Sequence, residues 1–376
     1  MPRRARTDLP YPRLVGHVDG SEAHFALVPA EGQPLEAVAR LACAAHATLD
    51  DAVQAYLATL SGPPPRAAAL GLATAVTGDR VRMTNHGWAF STRELRRALA
   101  LDELLVINDF SALALALPLL QPSALRAVGV GAGVPGAPVA LIGPCTGLGV
   151  SGLLPSLDGR LPVPLGGEGG HASLSAQDAD EAAVLALLQR RFGHVSAERA
   201  LSVPGLLNLA QAVAQLRGEP CAADQPDEVL QAGLAGNDAV CLQALQLFAS
   251  LLGSTAGNLA LTLGARGGVY LGGPLVPRLG RWLDRSLFRE RFEGKGRLRA
   301  YLRAIPTWVL SPGPLPGLMG AARALTLLSP ASPLTTAGAA RRGPRGSRRA
   351  TATVLQTLPP LAAPAEAGLP ALPAQD

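Results

Sequence analysis

The stretch that most constrains the fold is residues 104–110, Leu-Leu-Val-Ile-Asn-Asp-Phe, in which an apolar run ends on an amide and a carboxylate. The apolar part predicts a buried strand, and residues 111–117 predict a helix that Pro118 ends. Asp109 therefore lies where a strand meets a helix, the place where open α/β sheets hold their ligands. A carboxylate there can act as a general base. Asn108-Asp109 can equally be a turn or helix cap, and this stretch alone does not decide between the two.

The composition describes a chain that can form a large core and gives no sign of secretion. It has 376 residues, enough for two domains, and 48% of them are hydrophobic. Its four cysteines form no C-x-x-C pair, which argues against a zinc knuckle or a disulfide framework and favours a reducing compartment such as the cytoplasm. No apolar segment follows the basic start, so a signal peptide is not expected. Polar residues interrupt the apolar run 242–265, which predicts a buried helix rather than a membrane span.

The formal net charge of +5 is concentrated at the two ends of the chain. Residues 1–11 carry +2 and residues 331–376 carry +3, so the body between them is neutral and unlike a nucleic-acid-binding domain. Residues 1–11 and 329–376 are predicted to be disordered, because they hold too few bulky apolar side chains to offset the entropy of ordering. The arginine-rich part of this tail could touch nucleic acid or anionic lipid, but a solvated linker is the better interpretation. The single lysine, Lys295, excludes a Walker-type P-loop.

Two glycine-containing turns each join a pair of short predicted strands, at residues 14–27 and 139–153. Backbone amides in such tight turns form nests that bind anions. In the second turn the Thr146 hydroxyl could add a contact, and glycines at 143, 147 and 149 let the backbone approach a phosphate. Together with a carboxylate at a strand end, the two turns predict binding of nucleotide phosphates without a P-loop lysine.

Six motifs occur in a fixed order along the chain: Met83–Phe90, Ile107–Phe110, Thr146–Gly149, Gly167–His171, Gly193–Arg199 and Gly267–Arg278. In this order they resemble the bacterial ATP-dependent glucokinases of the actin-like, hexokinase-type ATPase superfamily, over about residues 12–328. The related repressor and sugar-kinase group usually carries a cysteine-rich zinc motif. This chain has none, which favours the glucokinase branch.

The resemblance implies an α/β chain with the ribonuclease-H-like, actin-like ATPase fold, in which two domains enclose an active-site cleft. The small domain would span residues 12–119 and be completed by about 315–328, and the large domain would span residues 120–314. The resemblance also implies a cytoplasmic homodimer that binds glucose and ATP, with Mg²⁺ as cofactor.

The resemblance further assigns a role to particular residues. Asp109 matches the catalytic base, which removes the proton from the 6-hydroxyl of the sugar. The matched sugar-binding residues are Asn108, Asp109, Glu168, His171 and Glu198, and a ring of hydroxyls needs such carboxylate, amide and imidazole groups at fixed angles. Taken singly, His171 and Glu198 could be a loop cap and a helix cap. The predicted nucleotide-binding residues are Gly16, Gly20, Ser21, Gly143, Thr146, Gly147, Gly272 and Gly273.

The first phosphate loop departs from the family pattern Gly-Asp-x-Gly-Gly-Thr-Asn-x-Arg. His17 replaces the aspartate that helps to hold magnesium, and imidazole binds magnesium poorly. Asp19 replaces a glycine and Glu22 an asparagine, and both carboxylates would repel a polyanion. Asp19 lies two residues after His17, hence on the same face of a strand, and is a candidate replacement ligand for Mg²⁺. The remaining departures are His24 for arginine, Cys145 for glycine in the second loop, and Ala75 for a proline.

We therefore expect a sound fold, a nearly complete sugar site and a damaged nucleotide site. The first hypothesis is an ATP-dependent glucokinase whose turnover the first loop would reduce. The second is a catalytically impaired glucose-binding pseudokinase or regulator. The third is a nucleic-acid-binding regulator that acts through the arginine tail, and salt-dependent binding lost on deletion of residues 331–376 would identify it.

Overall fold

The computed structural model describes residues 9–156, 162–313 and 315–328 of the chain. Strands and helices alternate along it, so the predicted α/β class is confirmed. The described residues belong to one compact unit, and the division into domains near residue 119 stays a prediction. The tail predicted to be disordered, 329–376, lies outside the described residues, as do residues 1–8. Residues 9–11 of the start predicted to be disordered lie within the described residues, where Arg13 donates to the carbonyl of Leu9 and Leu9 packs beside the C-terminal helix.

The N-terminal third of the chain forms a five-stranded sheet with two helices before the strand that leads to Asp109. Its elements are β1 (Arg13–Val18), β2 (Glu22–Val28), β3 (Glu36–Ala42), α1 (Leu49–Leu57), β4 (Ala67–Leu72), β5 (Arg80–Arg82), β6 (Ala89–Ser91), α2 (Thr92–Ala98), β7 (Glu103–Asn108) and α3 (Asp109–Ala116). The strand order is β3-β2-β1-β4-β7, and β1, β4 and β7 are parallel. Their carboxyl ends therefore meet at one edge of the sheet. The short β5 and β6 pair separately with each other.

The rest of the chain forms a six-stranded sheet covered by helices. Its elements are β8 (Leu125–Val128), β9 (Val139–Pro144), β10 (Leu148–Leu154), β11 (Val163–Pro164), α4 (Ala179–Phe192), α5 (Val203–Arg217), α6 (Pro226–Ala235), α7 (Ala239–Leu263), β12 (Gly268–Leu271), α8 (Leu275–Arg278), α9 (Trp282–Arg285), α10 (Phe288–Glu293), α11 (Arg299–Arg303), β13 (Thr307–Leu310) and α12 (Leu315–Leu328). The strand order is β11-β10-β9-β12-β13-β8, with β9, β12 and β13 parallel.

Local sequence signals correctly locate the starts of two helices. Thr48 and Ser91 cap α1 and α2, as their spacing to Asp51 and Glu94 predicts. Edge strands were harder to predict, and β3 and β8 have no clear period in the sequence. The apolar run 242–265 follows α7 to its end at Leu263 and continues for two residues beyond it. Among the described residues α7 is the helix long and apolar enough to cross a membrane, and most of it is buried in the protein.

Helices α3 and α12 cross each other and contact both sheets. Leu318 and Leu325 of α12 pack on the first sheet, and Phe110 and Ala114 of α3 pack on the second. The helices approach so closely that a Cβ at Gly320 would collide with the carbonyl oxygen of Ala112. Because α3 begins at Asp109, this crossing fixes the position of the carboxylate relative to both sheets.

Replacing Gly320 with alanine is expected to destabilise the protein by about 1–3 kcal/mol, because the added methyl group forces the two helices apart. Chemical denaturation monitored by circular dichroism measures this loss. Gly78→Ala is a matched control, since a Cβ at Gly78 meets nothing within 4 Å. Equal stability of the two variants would contradict the close crossing.

Candidate active site

The sheet register places the predicted base at the edge of the sheet where β1, β4 and β7 end. Val18 at the end of β1 aligns with Leu72 at the end of β4, and Leu72 aligns with Asn108 at the end of β7. Asn108 caps α3, because its Oδ1 accepts from the amide of Ser111 at 3.1 Å. The cap interpretation therefore holds for Asn108. Asn108 also has a second role, because the amide nitrogen of its side chain donates to the carboxylate of Asp109.

One carboxylate oxygen of Asp109 is fixed by two donors. Its Oδ1 accepts from Asn108 Nδ2 at 3.0 Å and from the Phe110 amide at 2.9 Å. The pKa of Asp109 is raised to about 6. Burial is the main cause and the charges of Asp19 and Glu168 add to it, while the hydrogen bond from the Phe110 amide acts in the opposite direction. A carboxylate with a pKa near the working pH is well suited to general-base catalysis.

The other predicted sugar-binding residues lie on two neighbouring turns. Residues 169–171 and 197–199 form short 3₁₀ turns. Backbone bonds hold the two turns together, from Ala197 N to Ala172 O at 2.8 Å and from Leu174 N to Val195 O at 2.9 Å. Glu168 and His171 flank the first turn, with 3.9 Å between Glu168 Oε2 and His171 Nε2. The charge of Glu168 also helps to raise the pKa of Asp109.

Glu198 connects the second of these turns to the glycine turn between β9 and β10. Its Oε2 accepts from the amide of Leu148 at 3.0 Å. A Cβ at Gly147 would collide with this same oxygen. The glycine at position 147 thus leaves room for the Glu198 carboxylate, a reason for it that sequence reasoning did not find.

If the chain binds glucose as the resemblance implies, replacing Gly147 with alanine is expected to displace Glu198 and to weaken that binding by about tenfold, the cost of one lost hydrogen bond to a charged group. Isothermal titration calorimetry with glucose measures the change. The control is Gly167→Ala in the neighbouring loop, where a Cβ meets nothing within 4 Å. If Gly147→Ala binds glucose as tightly as Gly167→Ala does, Glu198 has no part in the sugar site.

Three of the glycines predicted to lie at the phosphates also have packing roles. Phe110, the residue after the base, lies where a Cβ at Gly143 or Gly149 would be, at 2.6 Å from the Gly143 position. Gly16 lies inside β1, where a Cβ would be 2.6 Å from Leu70 in the sheet core. The absence of a side chain at 16, 143 and 149 therefore follows from the core and needs no nucleotide to explain it.

Gly272 and Gly273 follow β12, at the edge where β9 also ends. Gly273 has a φ of +80°, and a Cβ there would collide with the carbonyl of Pro144. The turn after β12 is thereby packed against the second phosphate turn. Cys145 lies beside it, and burial followed by the charges of Asp109 and Asp19 raises the pKa of its thiol to about 12. The thiol is therefore protonated at neutral pH and acts only through its size.

The first phosphate loop is the turn between β1 and β2. Asp19 Oδ1 accepts from the Ser21 amide at 2.9 Å, the Ser21 hydroxyl at 2.8 Å and the Glu22 amide at 2.8 Å. Burial alone would raise the pKa of Asp19, but these bonds outweigh it and the pKa is lowered. Glu22 contacts Arg40 at 3.2 Å and His24 at 3.5 Å, so its charge is largely balanced.

His17 lies at the position where the family pattern has its magnesium-binding aspartate. Its ring packs against Gly317 at the start of α12, and its Nδ1 is buried without a hydrogen bond. Burial lowers the pKa of His17, so the ring is neutral at physiological pH. A neutral, enclosed imidazole offers no oxygen to a magnesium ion.

A family model described as Glucokinase matches residues 14–328. The chain belongs to the glucokinase family. A curated Glucokinase of Aromatoleum aromaticum is 52% identical over 316 residues, which cover 84% of this chain and 95% of that protein. A crystal structure of a glucokinase from an Antarctic psychrotroph has a TM-score of 0.76 and 33% identity, covering 84% of this chain and 99% of that one.

The family assignment makes the chain a sugar kinase of the transferase class with the actin-like ATPase fold, as the six motifs predict. A more distant structure has the same fold. It is a glucokinase of Streptomyces griseus in complex with glucose and AMPPNP, with a TM-score of 0.56 and 19% identity over 83% of this chain and 98% of that one.

One residue of this glucokinase-family site was given no role by sequence reasoning. Asn85 donates from Nδ2 to the hydroxyl of Thr146 at 3.1 Å, and a Cβ at Gly20 would be 3.4 Å from it. It therefore bridges the two phosphate turns, which belong to different sheets. The sequence marks Asn85 only as part of the motif Met83–Phe90. Its partner Thr146 lies 61 positions away, so the spacing of residues in the sequence does not reveal the contact.

The described residues contain no group of three or more His, Cys, Asp or Glu side chains placed to hold a metal ion. Magnesium is usually held by one or two carboxylates together with substrate phosphates and water, so a kinase site does not need such a group. The assignment of Asp19 as a magnesium ligand stays a prediction.

Proposed function

We propose that this chain transfers the γ-phosphoryl group of ATP to the 6-hydroxyl of glucose, with Asp109 as the general base. The observation that carries the proposal is the state of the Asp109 carboxylate. One of its oxygens is fixed by two donors, and its pKa is raised to about 6, mainly by burial and in part by the charge of Glu168. The other oxygen is then the atom that accepts the proton of the sugar hydroxyl.

The sugar would be oriented by the side chains around this oxygen. Asn108 and the carboxylates of Glu168 and Glu198 offer acceptors to the ring hydroxyls, and His171 offers an imidazole. Glu198 already uses one oxygen on the Leu148 amide, which sets its orientation before sugar binds. Such preorganisation reduces the entropy lost on binding.

The two sides of the nucleotide site fit ATP unequally. ATP supplies the phosphoryl group, and Thr146, Gly147, Gly272 and Gly273 lie on turns that could hold it, consistent with the glucokinase names of the close relatives. The first loop does not fit, because Gly20 and Ser21 belong to a turn whose amide donors are taken by Asp19. We therefore assign no step to a magnesium ion at His17 or Asp19.

The raised pKa of Asp109 gives a pH dependence with a definite sign. The base must be ionised, so kcat/KM for glucose is expected to fall by about tenfold per pH unit below about pH 6 and to be level above it. Initial rates between pH 4.5 and 8 measure this limb, at saturating ATP. Rates that stay level down to pH 4.5 would show that Asp109 is not the titrating base.

Two measurements together test the proposed function. Calorimetry measures glucose binding, and a coupled assay measures formation of glucose 6-phosphate. Binding with turnover supports the proposal, and a chain that does not bind glucose overturns it. Binding without turnover supports the second candidate, a glucose-binding pseudokinase, which is favoured by the neutral His17 and the occupied first loop.

The assembly and location implied by the family complete the proposal. A homodimer would give a mass near twice 38.5 kDa in light scattering. The neutral body of the chain and its reduced cysteines fit the cytoplasm.

A further inference from the structure

We propose that the Asp19 carboxylate occupies the phosphate nest of the first loop as an internal anion and thereby sets a low affinity for ATP. The inference rests on the proposed function, since it concerns the nucleotide side of the same site. It assigns Asp19 a role opposite to that of a magnesium ligand, because here the side chain competes with the nucleotide.

The hydrogen bonds of the loop support this role. Three donors of the turn converge on one oxygen, Asp19 Oδ1: the amides of Ser21 and Glu22 and the hydroxyl of Ser21, all within 2.9 Å. Successive backbone amides that point at one site form an anion nest, and a carboxylate oxygen fills it as a phosphate oxygen would. A nucleotide can use these donors only after it displaces the carboxylate.

The position of the loop makes the contact relevant to catalysis. The turn follows Val18 at the same sheet edge as Asp109, and Gly20 packs against Asn85, which bonds to Thr146 of the second phosphate turn. The charge of Asp19 also acts on Asp109 and Cys145. The turn that carries Asp19 is therefore connected through Asn85 to the second phosphate turn.

Glu22, the other carboxylate that departs from the family pattern, does not occupy the donors of the turn. Glu22 is held between Arg40 and His24 and takes no donor of the turn. The chain also offers a comparison carboxylate outside the five-stranded sheet, just before β5. Asp79 accepts from the Ser91 hydroxyl, the Thr92 hydroxyl and the Arg93 amide at the start of α2, and so also takes three hydrogen bonds.

The test compares the variants Asp19→Ala, Asp19→Asn and Asp79→Asn with the unmodified full chain. Calorimetric titration with the magnesium complex of AMPPNP, an ATP analogue whose terminal phosphoryl group is not transferred to glucose, gives the dissociation constants at saturating glucose and stands for MgATP. Asp19→Ala frees the donors and is expected to bind MgATP about 10- to 100-fold more tightly. Asp19→Asn keeps an acceptor oxygen in the nest without the charge, and less than about a threefold gain is expected because the donors stay occupied. Asp79→Asn is expected to bind MgATP as the unmodified chain does.

Three results would overturn the inference. Equal gains for Asp19→Ala and Asp19→Asn would mean that charge repulsion alone weakens binding. Weaker binding by Asp19→Ala would mean that Asp19 is a magnesium ligand, and a gain for Asp79→Asn would mean a general effect of net charge.

Glucose binding and the melting temperature of each variant separate this inference from the proposed function. A variant that melts and binds glucose like the unmodified chain has kept its fold and sugar site, so its ATP affinity reports on the nest alone. If none of the chains binds glucose, the proposed function fails. If all bind glucose and Asp19→Ala gains no affinity for MgATP, only the inference about the nest fails.

Discussion

Replacing Asp109 with asparagine is expected to lower kcat for glucose phosphorylation by about 10²- to 10⁴-fold, the usual range for loss of a general base. The amide cannot take the proton of the 6-hydroxyl, while its size and hydrogen bonds to Asn108 and Phe110 are largely kept. Glucose affinity should therefore change little. Steady-state rates and calorimetry on the same preparation separate the two effects.

The melting temperature of Asp109→Asn is also expected to change, and this change is a control that the variant is correctly folded. The folded-state pKa of about 6 lies above the ordinary value of 3.8, so ionisation of Asp109 destabilises the native state as pH rises through this interval. Asp109→Asn removes that cost and should melt about 2–4 °C higher than the unmodified chain at pH 8. At pH 4 the difference should nearly vanish. A variant with lower activity that is also less stable at pH 8 would have lost its structure rather than its base.

Restoring the family residues in the first loop, with His17→Asp and Asp19→Gly together, is expected to raise turnover with MgATP by about 100-fold. The estimate takes about 1.4 kcal/mol for each repaired contact, which is about tenfold in rate. The aspartate would give magnesium an oxygen in place of a neutral imidazole, and the glycine would free the amides that Asp19 occupies. The coupled assay for glucose 6-phosphate measures the gain.

Two controls show whether a gain in turnover comes from the repaired loop. The same repair in an Asp109→Asn background should give little gain, because the base is still missing. Glucose affinity should not change in either background, since the first loop lies outside the sugar set. If the repaired chain is no faster than the original, the loop substitutions are not what limits phosphoryl transfer.

The sequence by itself determined the family, the α/β class and the position of the central carboxylate. These depend on local signals: an apolar run that ends at Asp109, caps at Thr48 and Ser91, and short motifs in a fixed order. Such signals can be recognised in the sequence because periodicity, capping and turn formation involve residues close together in the chain. The substitutions in the first loop were likewise visible from the sequence.

Only the tertiary structure decided what the side chains of the site contact. Glu198 bonds to the Leu148 amide 50 positions away, and Asn85 bonds to Thr146 61 positions away. The glycines at 143 and 149 proved to make room for Phe110. The sequence predicted that Asp19 would repel a phosphate or hold magnesium, whereas the folded turn directs it onto its own amides. Sheet register and the crossing of α3 with α12 set these contacts, and no local spacing encodes the distance between residues on different strands.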